Sequence, residues 1–346
     1  MENLTVEFLA KPERLDLFLS KKFPEYSRNF WQNQIKNSQI FINQQLCCEN
    51  KKKLFGGEII SFADNSNDFA NLQSLQNLQN LQNLQNLDIN EIENLKHFLP
   101  SPEVAEIIQQ NCIYEDADIL IINKPANLVV HPGSGHFENT LLNGLLFRYP
   151  QTASKLPRAG IVHRLDRLTS GLMVIAKNLI AQTHLVRQLQ THSVKRQYLA
   201  LVKGDIFADG FVDAPIGRHL TQRTKMAIVP EIKGGKVAKT HYFVRQRFGF
   251  CTLLRCLLET GRTHQIRVHL ASLGHSLIGD FVYGNKNIAN KDKSVTIPPE
   301  IYAFERQALH AQKLTLQHPQ TLQNMEFVCD LPEDFANLLN ALNELN

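Results

Sequence analysis

No window of about 18 consecutive apolar residues occurs in this 346-residue chain, so no membrane-spanning helix is expected. Its start, MENLTVEFLAKPERLD, lacks the basic opening and apolar run of a secretory leader. Cysteine is scarce and scattered: of the six, only Cys47 and Cys48 are neighbours, and none forms a C-x-x-C pair. That spacing excludes a zinc ribbon or disulfide framework and predicts idle thiols in a reducing cytoplasm. With 20% charged and 43% hydrophobic residues, the chain is not disordered, collagen-like or coiled-coil in composition. At one domain per ~150 residues, its length predicts about two domains.

The formal net charge of +4 conceals an asymmetry. Residues 1–63 carry 9 basic and 7 acidic groups, residues 64–120 carry 1 and 10, and residues 121–346 carry 27 and 16. From Lys155 to Arg267 there are 20 basic against 6 acidic side chains. Gathered on one face, these generate a positive field suited to a polyanion, and their interleaving with His and aromatic residues suits nucleic acid.

Residues 1–63 read as a small α/β module. LDLFLSKKF has helical apolar spacing, Ser27 is placed to cap a second helix in SRNFWQNQIKN, QIFINQQL alternates like one strand, and Gly56-Gly57 turn into EIISF. In this order, with a basic turn before GGEI, the segment resembles the S-four-type RNA-binding domain of ribosomal proteins and RNA-modifying enzymes. The resemblance implies that the helix pair presents Lys21, Lys22, Arg28 and Lys36 to RNA. Asn37, Ser38 and Gln39 stand where many members have a glycine; asparagine tolerates left-handed backbone, so the turn remains feasible.

Residues 64–98 contain NLQSLQNLQNLQNLQNLDIN, with leucine at 72, 75, 78, 81, 84 and 87. A period of three advances ~300° per step on a helix of 3.6 residues per turn, so these leucines spread around the whole circumference. A low-complexity linker is predicted rather than a zipper, and the lack of a self-complementary stripe points to a monomer.

From Ile113 strands outnumber helices. IYEDADILIINKP reads as two strands about an acidic turn; GLMVIAK, QYLALVKG, THYFVRQRF and CTLLRCLLET read as further strands, and LIAQTHLVRQLQTH as a helix. Strands following one another without regular helical crossovers predict an α+β domain over residues 99–346 with a mixed, mostly antiparallel sheet.

The densest polar stretch is PRAGIVHRLDRLTSGLMVIAK, residues 157–177, where Asp166 lies between Arg164 and Arg167. Flanking positive charge favours a carboxylate and keeps it available as nucleophile or base. Its pattern, H-R-L-D-x-x-T-S-G-L, resembles the signature of the RluA-type pseudouridine synthases. Other segments follow in that family's order: YEDADILIINKP with VVHPG, KRQYLALVKG, APIGRH, GGKVAKTHY, LETGRTHQIRVHLASLGH, GDFVYG, and RQALHA with HP. The resemblance runs from about residue 113 to 332 and implies the pseudouridine synthase fold. FPEYSR, NKPANLVVHPG and PRAGIVHRLD are most similar to members acting on large-subunit, 23S, ribosomal RNA, at uridines in the loop of helix 69. Asn127 fits that subgroup, whose members carry a polar residue where many relatives have glycine; Ser276 replaces a usual proline after His275.

The resemblance also implies roles. Asp166 is the essential catalytic residue, Tyr198 stacks on the uracil and takes or relays the C5 proton, and Arg267 pairs with Asp166. Arg164 holds the everted nucleotide or fills its place, and His163, Arg167 and Arg262 are further RNA-binding candidates. Pseudouridine formation moves the sugar carbon from uracil N1 to C5 without redox change or net hydrolysis, so neither cofactor nor metal is expected. Asp166 could attack the sugar carbon, attack the base, or remove the 2′ proton; all three stay open.

His264 and His269, five apart, fall on opposite faces of a strand or ~140° apart on a helix, so packing or RNA contact is expected of them rather than chelation. Lys124-Pro125 and His131-Pro132 are expected to shape the pocket wall. Two other readings are a non-catalytic RNA-binding assembly factor, indifferent to Asp166, and a hydrolase using paired carboxylates, for which Asp280 is the available partner.

Overall fold

The computed structural model describes residues 3–6, 12–23, 28–36, 39–62, 98–133, 138–222, 224–284 and 297–345, in two units, Met1–Asn94 and Leu95–Asn346. The linker expected at 64–98 lies outside the described residues except for Phe98, as do Ser27 and the Asn37-Ser38 turn.

In the first unit the elements are β1 (Asn3–Thr5), β2 (Glu13–Arg14), α1 (Leu15–Lys22), α2 (Arg28–Lys36), β3 (Ile40–Ile42), β4 (Gln45–Leu46), β5 (Lys53–Leu54) and β6 (Ile59–Phe62). Strands pair in the order β1-β6-β3-β4, with β2 against β5. Leu15 and Leu19 from α1, Trp31 and Ile35 from α2, and Ile40 and Ile60 from the sheet form its core. QIFINQQL is a hairpin, not one strand: Ile42 pairs with Gln45 across Asn43 and Gln44, whose φ angles are 48° and 65°. Two left-handed central residues match the twist of the flanking strands, and Asn43 Oδ1 holds the turn by accepting from Ile59 N at 2.8 Å. Without the glycine that usually marks such a turn, the alternation masks it.

The second unit continues with α3 (Pro102–Gln110), β7 (Cys112–Glu115), β8 (Ile119–Lys124), α4 (Leu141–Arg148), β9 (Ser170–Ala176), α5 (Leu179–Gln190) and β10 (Lys195–Lys203). Then come β11 (Gly210–Asp213), β12 (Ile216–Arg218), β13 (Met226–Ile228), β14 (Lys239–Arg247), β15 (Cys251–Leu258) and α6 (Gln265–Ser272). The last elements are α7 (Pro299–Ala303), β16 (Leu309–Gln317), β17 (Asn324–Val328) and α8 (Glu333–Asn343). Side chains start the helices: Ser101 Oγ accepts from Val104 N at 3.3 Å on α3, and Asn178 Oδ1 from Ala181 N at 2.9 Å on α5.

The main sheet runs β11-β14-β15-β10-β16-β9-β8-β7, with β17 also on β16. Only β16 and β9 pair in parallel among its described strands, so the unit is α+β with a mixed, mostly antiparallel sheet. Both faces of its centre are covered. Leu120 and Ile122 of β8 join α3, α4 and α6 in one cluster, while Ile119 and Ile121 join α5 in another. Burial on both faces is why β8 and β9 read as unbroken apolar runs, each large side chain worth about 1.5–3 kcal/mol. Gly171 opens β9 at φ 117°, and a Cβ there would lie 2.3 Å from Ala311 O, so only glycine admits the parallel neighbour. That contact anchors the downstream end of the Asp166 loop.

Candidate active site

The loop bearing Asp166 is fixed from three sides. Thr169 N donates to Asp166 O at 3.0 Å, closing a turn before β9. Behind it, the fully buried Lys124 donates through Nζ to the carbonyls of Pro125, Leu128 and Arg167 at 2.8, 3.0 and 3.2 Å, tying the loop to the end of β8. Burial holds the Lys124 ammonium down to about 7, against the pull of the nearby Asp166 charge. In front, Arg267 Nη1 on α6 donates to Asp166 Oδ2 at 3.0 Å.

Arg267 is shared between two carboxylates. Its Nε and Nη2 grip Asp280 at 2.7 and 3.0 Å. Burial opposes the guanidinium's charge, but Asp280 and Asp166 outweigh it and raise its pKa further. Asp280 Oδ1 also accepts from Val282 N at 3.0 Å and Tyr283 N at 3.2 Å. Burial pushes its pKa up, yet Arg267 more than reverses this and holds it low. A carboxylate so fully engaged has no free oxygen for the hydrolase reading.

These groups border a cleft of about 480 Å³, open to solvent on one side, whose wall includes Arg164, Asp166, Arg196, Tyr198, Arg262 and Arg267. Asp166 is 16% exposed there. Tyr198, on β10, is buried, which raises its hydroxyl pKa. The cation touching Asp166 is therefore Arg267, from 101 residues away, rather than a flanking arginine. Arg164 and Arg262 are exposed on the wall, and Arg262 Nε donates to Val237 O at 2.9 Å.

Other residues singled out in the sequence lie elsewhere. His163 is not among the residues lining the cleft: its Nε2 accepts from Val174 N at 3.0 Å, and burial lowers it to about 3, giving a neutral ring held by the backbone of β9. Arg167 is exposed but off the wall, contributing its carbonyl to Lys124. Lys124 and His131 are not among the lining residues either, and Lys124 acts on the wall through its bond to the Asp166 loop. In the first unit Lys21, Lys22 and Lys36 are exposed, with Lys21 paired to Glu13, whereas Arg28 Nε donates to the buried Asp16 at 2.9 Å.

The two histidines diverge. His269 is buried between Thr240 Oγ1 and Ala214 O, 2.9 Å from each. His264 lines the cleft with Nε2 3.8 Å from Asp166 Oδ1 and Nδ1 2.7 Å from the Tyr283 hydroxyl. That hydroxyl accepts from Met226 N at 2.9 Å and has its own proton to give to Nδ1, an arrangement that puts the imidazole hydrogen on Nε2. Burial lowers the His264 pKa and favours the neutral ring, against the pull of the Asp166 charge. Sequence reasoning missed Tyr283, Arg196 and the structural role of Asp280: they lie within the segments GDFVYG and KRQYLALVKG, which give them no task until the fold brings the segments together.

One trio among the described residues, Asp116, Asp118 and His318, brings potential metal-binding atoms within 4.8 Å of one another. His318 Nδ1 already accepts from Gln320 and Thr321 amides at 3.2 and 3.0 Å, so Nε2 holds the hydrogen it donates to Asp116 at 2.8 Å. The geometry is that of a hydrogen-bonded corner joining β16 to the β7–β8 turn.

Comparison with known proteins agrees with this cleft. Residues 118–272 match the RNA pseudouridylate synthase family model. The chain is 42% identical to the ribosomal large subunit pseudouridine synthase D of Haemophilus influenzae over 99% of this chain and 96% of the relative. It is equally 42% identical to the Escherichia coli K12 protein of that name, covering 95% and 90%. Among solved structures, human RNA pseudouridylate synthase domain containing 4 superposes with a TM-score of 0.53 at 27% identity, covering 70% of this chain and 96% of its own. With the relatives matched almost end to end and Asp166 set beside Arg267 and Tyr198 in one cleft, the chain belongs to the RNA pseudouridine synthase family.

Proposed function

We propose that this protein isomerises uridine to pseudouridine in the large-subunit, 23S, ribosomal RNA, at uridines of the helix 69 loop, acting as a cytoplasmic monomer. The observation that carries the reading is the half-occupied carboxylate of Asp166: Oδ2 is held by Arg267 while Oδ1 is left to the cleft. The names of the relatives support the choice of RNA.

Each group has a task in that chemistry. Arg267 orients the carboxylate and offsets the cost of keeping its charge away from water, itself anchored by Asp280. Tyr198 offers a flat, buried ring for the uracil and a hydroxyl to take or relay the C5 proton. Walls on several sides retain the freed base while it turns. A base must leave its stack to reach Asp166, so a loop uridine costs less than a paired one. Arg164 and Arg262 on the rim, with Lys21, Lys22 and Lys36 of the first unit, supply phosphate contacts.

The decisive experiment supplies 23S ribosomal RNA tritiated at uridine C5 and follows tritium release by the wild type and Asp166→Asn. Release by the wild type alone is expected, with modified positions in helix 69; equal release by both proteins removes Asp166 from its role. Binding to the same RNA is expected to weaken with salt at a log-log slope of about −3 to −4, from ~4–6 phosphate contacts at roughly −0.7 each. A flat salt response contradicts the RNA assignment.

A further inference from the structure

Among the arginines of the cleft wall, Arg196 is in an unusual position. Arg267 is spent on two carboxylates, and Arg164 and Arg262 are exposed. Arg196 is only 8% exposed, its Nε is buried without a hydrogen-bond partner, and among the described residues no carboxylate pairs with its guanidinium. Burying a cation without a counter-charge is costly, and a fold keeps one only where something else is gained. Arg196 stands two residues before Tyr198 on β10, so the two side chains leave the same face of the strand, and both border the cleft. Gly261 covers it: a Cβ there would fall 2.5 Å from Arg196 Nη1, so glycine leaves the guanidinium its place.

We propose that Arg196 is a further catalytic residue that hydrogen-bonds a carbonyl oxygen of the uracil and stabilises the negative charge the base acquires when it leaves the sugar. The inference rests on the reading of the cleft given above. When Asp166 attacks the sugar carbon or removes the 2′ proton, the electron pair of the C1′–N1 bond departs with N1 and the resulting anion spreads over O2 and O4. When it attacks the base, the pair of the C5–C6 double bond moves onto O4 and the N1 pair, on cleavage, onto O2. When the base has turned, C5 supplies the pair for the new bond to the sugar carbon, C5 then loses its proton, and N1 gains one, so the product is an isomer. The charge on the carbonyl oxygens exists only between these events. A fixed donor in a desolvated wall therefore favours the transition state over the bound ground state.

The test is Arg196→Met beside Arg196→Lys in the full chain, read by single-turnover tritium release from C5-labelled 23S ribosomal RNA, by affinity for that RNA, and by thermal unfolding. Arg196→Met is expected to release tritium about 100-fold more slowly, as on removal of one oxyanion donor. Its RNA affinity stays within threefold, and it melts at or above the wild-type temperature, because an uncompensated buried charge has been removed. Arg196→Lys retains more activity.

A melting temperature that falls in step with activity shows a structural role and overturns the proposal. So does a loss of affinity that accounts for the whole defect, which marks a phosphate contact. RNA carrying 5-fluorouridine, whose base is the better anion, sharpens the test: the Arg196→Met defect shrinks when read as disappearance of that nucleoside from digests, and an equal defect on both RNAs rules out leaving-group stabilisation. Asp166→Asn run in parallel separates the two ideas. An active Asp166→Asn overturns the reading of the cleft, whereas an active Arg196→Met overturns only the assignment of Arg196.

Discussion

Two aspartates, one in each unit, meet arginines in opposite ways. Asp16 opens α1 with its side chain fully buried and accepts from Arg14 Nε and Nη2 at 3.0 and 2.9 Å, Arg28 Nε at 2.9 Å and Gln32 Nε2 at 2.6 Å. Asp166 takes one direct side-chain bond, from Arg267, and turns Oδ1 toward open space 3.8 Å from His264. A carboxylate with every lone pair claimed is a joint in the scaffold. One left half-claimed at the wall of a cleft keeps an oxygen for chemistry. Asp280, bonded through four donor groups, belongs with Asp16 although it sits beside Asp166.

Replacing each by its neutral amide is the strongest way to break that contrast. Asp166→Asn is expected to lower isomerisation at least about 1,000-fold while leaving the second unit's unfolding nearly unchanged, because Arg267 keeps Asp280. Asp16→Asn leaves the partly exposed Arg14 and Arg28 guanidiniums facing a neutral amide and is expected to cost the first unit about 1.5–3 kcal/mol, the loss of charge-assisted hydrogen bonds at a buried acceptor, read by chemical denaturation with hydrogen exchange at α1 and α2. If Asp16→Asn is silent and Asp166→Asn unfolds its unit, occupancy of lone pairs does not distinguish structural from reactive carboxylates here.

A middle-sized effect concerns the charge behind the Asp166 loop. Lys124 titrates at about 7 when folded against an ordinary 10.5, so between those values the unfolded chain binds more protons than the native one. Native stability contributed at this site therefore rises as pH climbs from about 7 toward 10, by up to roughly 1.4 kcal/mol per unit. Lys124→Met removes the titration. Denaturation curves at pH 7, 8.5 and 10 are expected to diverge between the two proteins, and parallel curves would show that the lysine is not held in a desolvated site.

How far the sequence exposed this contrast depends on distance along the chain. Asp166 was legible because its motif is contiguous and ends in the apolar run of β9. The central strands were legible because burial on both faces writes itself as unbroken hydrophobic stretches. The partnership of Arg267 with Asp166 came through family resemblance, since 101 residues separate them and no local periodicity links them. Asp280, Arg196 and Tyr283 acquire their meaning only from the way β10, α6 and the following loop converge. The ion pair of Arg28 was not legible because charge on a helix surface does not reveal the buried Asp16 beneath it, and the β3–β4 turn escaped because Asn43-Gln44 carries no glycine.

The smallest expected effect tests the unclaimed oxygen itself. Tyr283 sits between Met226 N, from which its hydroxyl accepts, and His264 Nδ1, 2.7 Å away; donation of its proton to Nδ1 would put the imidazole hydrogen on Nε2, toward Asp166 Oδ1. Tyr283→Phe removes that bias while preserving the ring over which the Arg267 guanidinium lies, 5.0 Å from its centroid. A neutral hydrogen bond is worth about 0.5–1.5 kcal/mol, so a loss of roughly 2–10-fold in the rate of tritium release is expected, with RNA affinity unchanged. Nitrogen-15 spectra of His264 should show the Nε2–H form in the wild type and a mixture of tautomers in the variant. If the mixture appears and the rate does not move, the oxygen left open on Asp166 needs no help from His264. Its reactivity then rests on the asymmetry imposed by Arg267 alone, and the distance of 3.8 Å is simply room for the nucleotide.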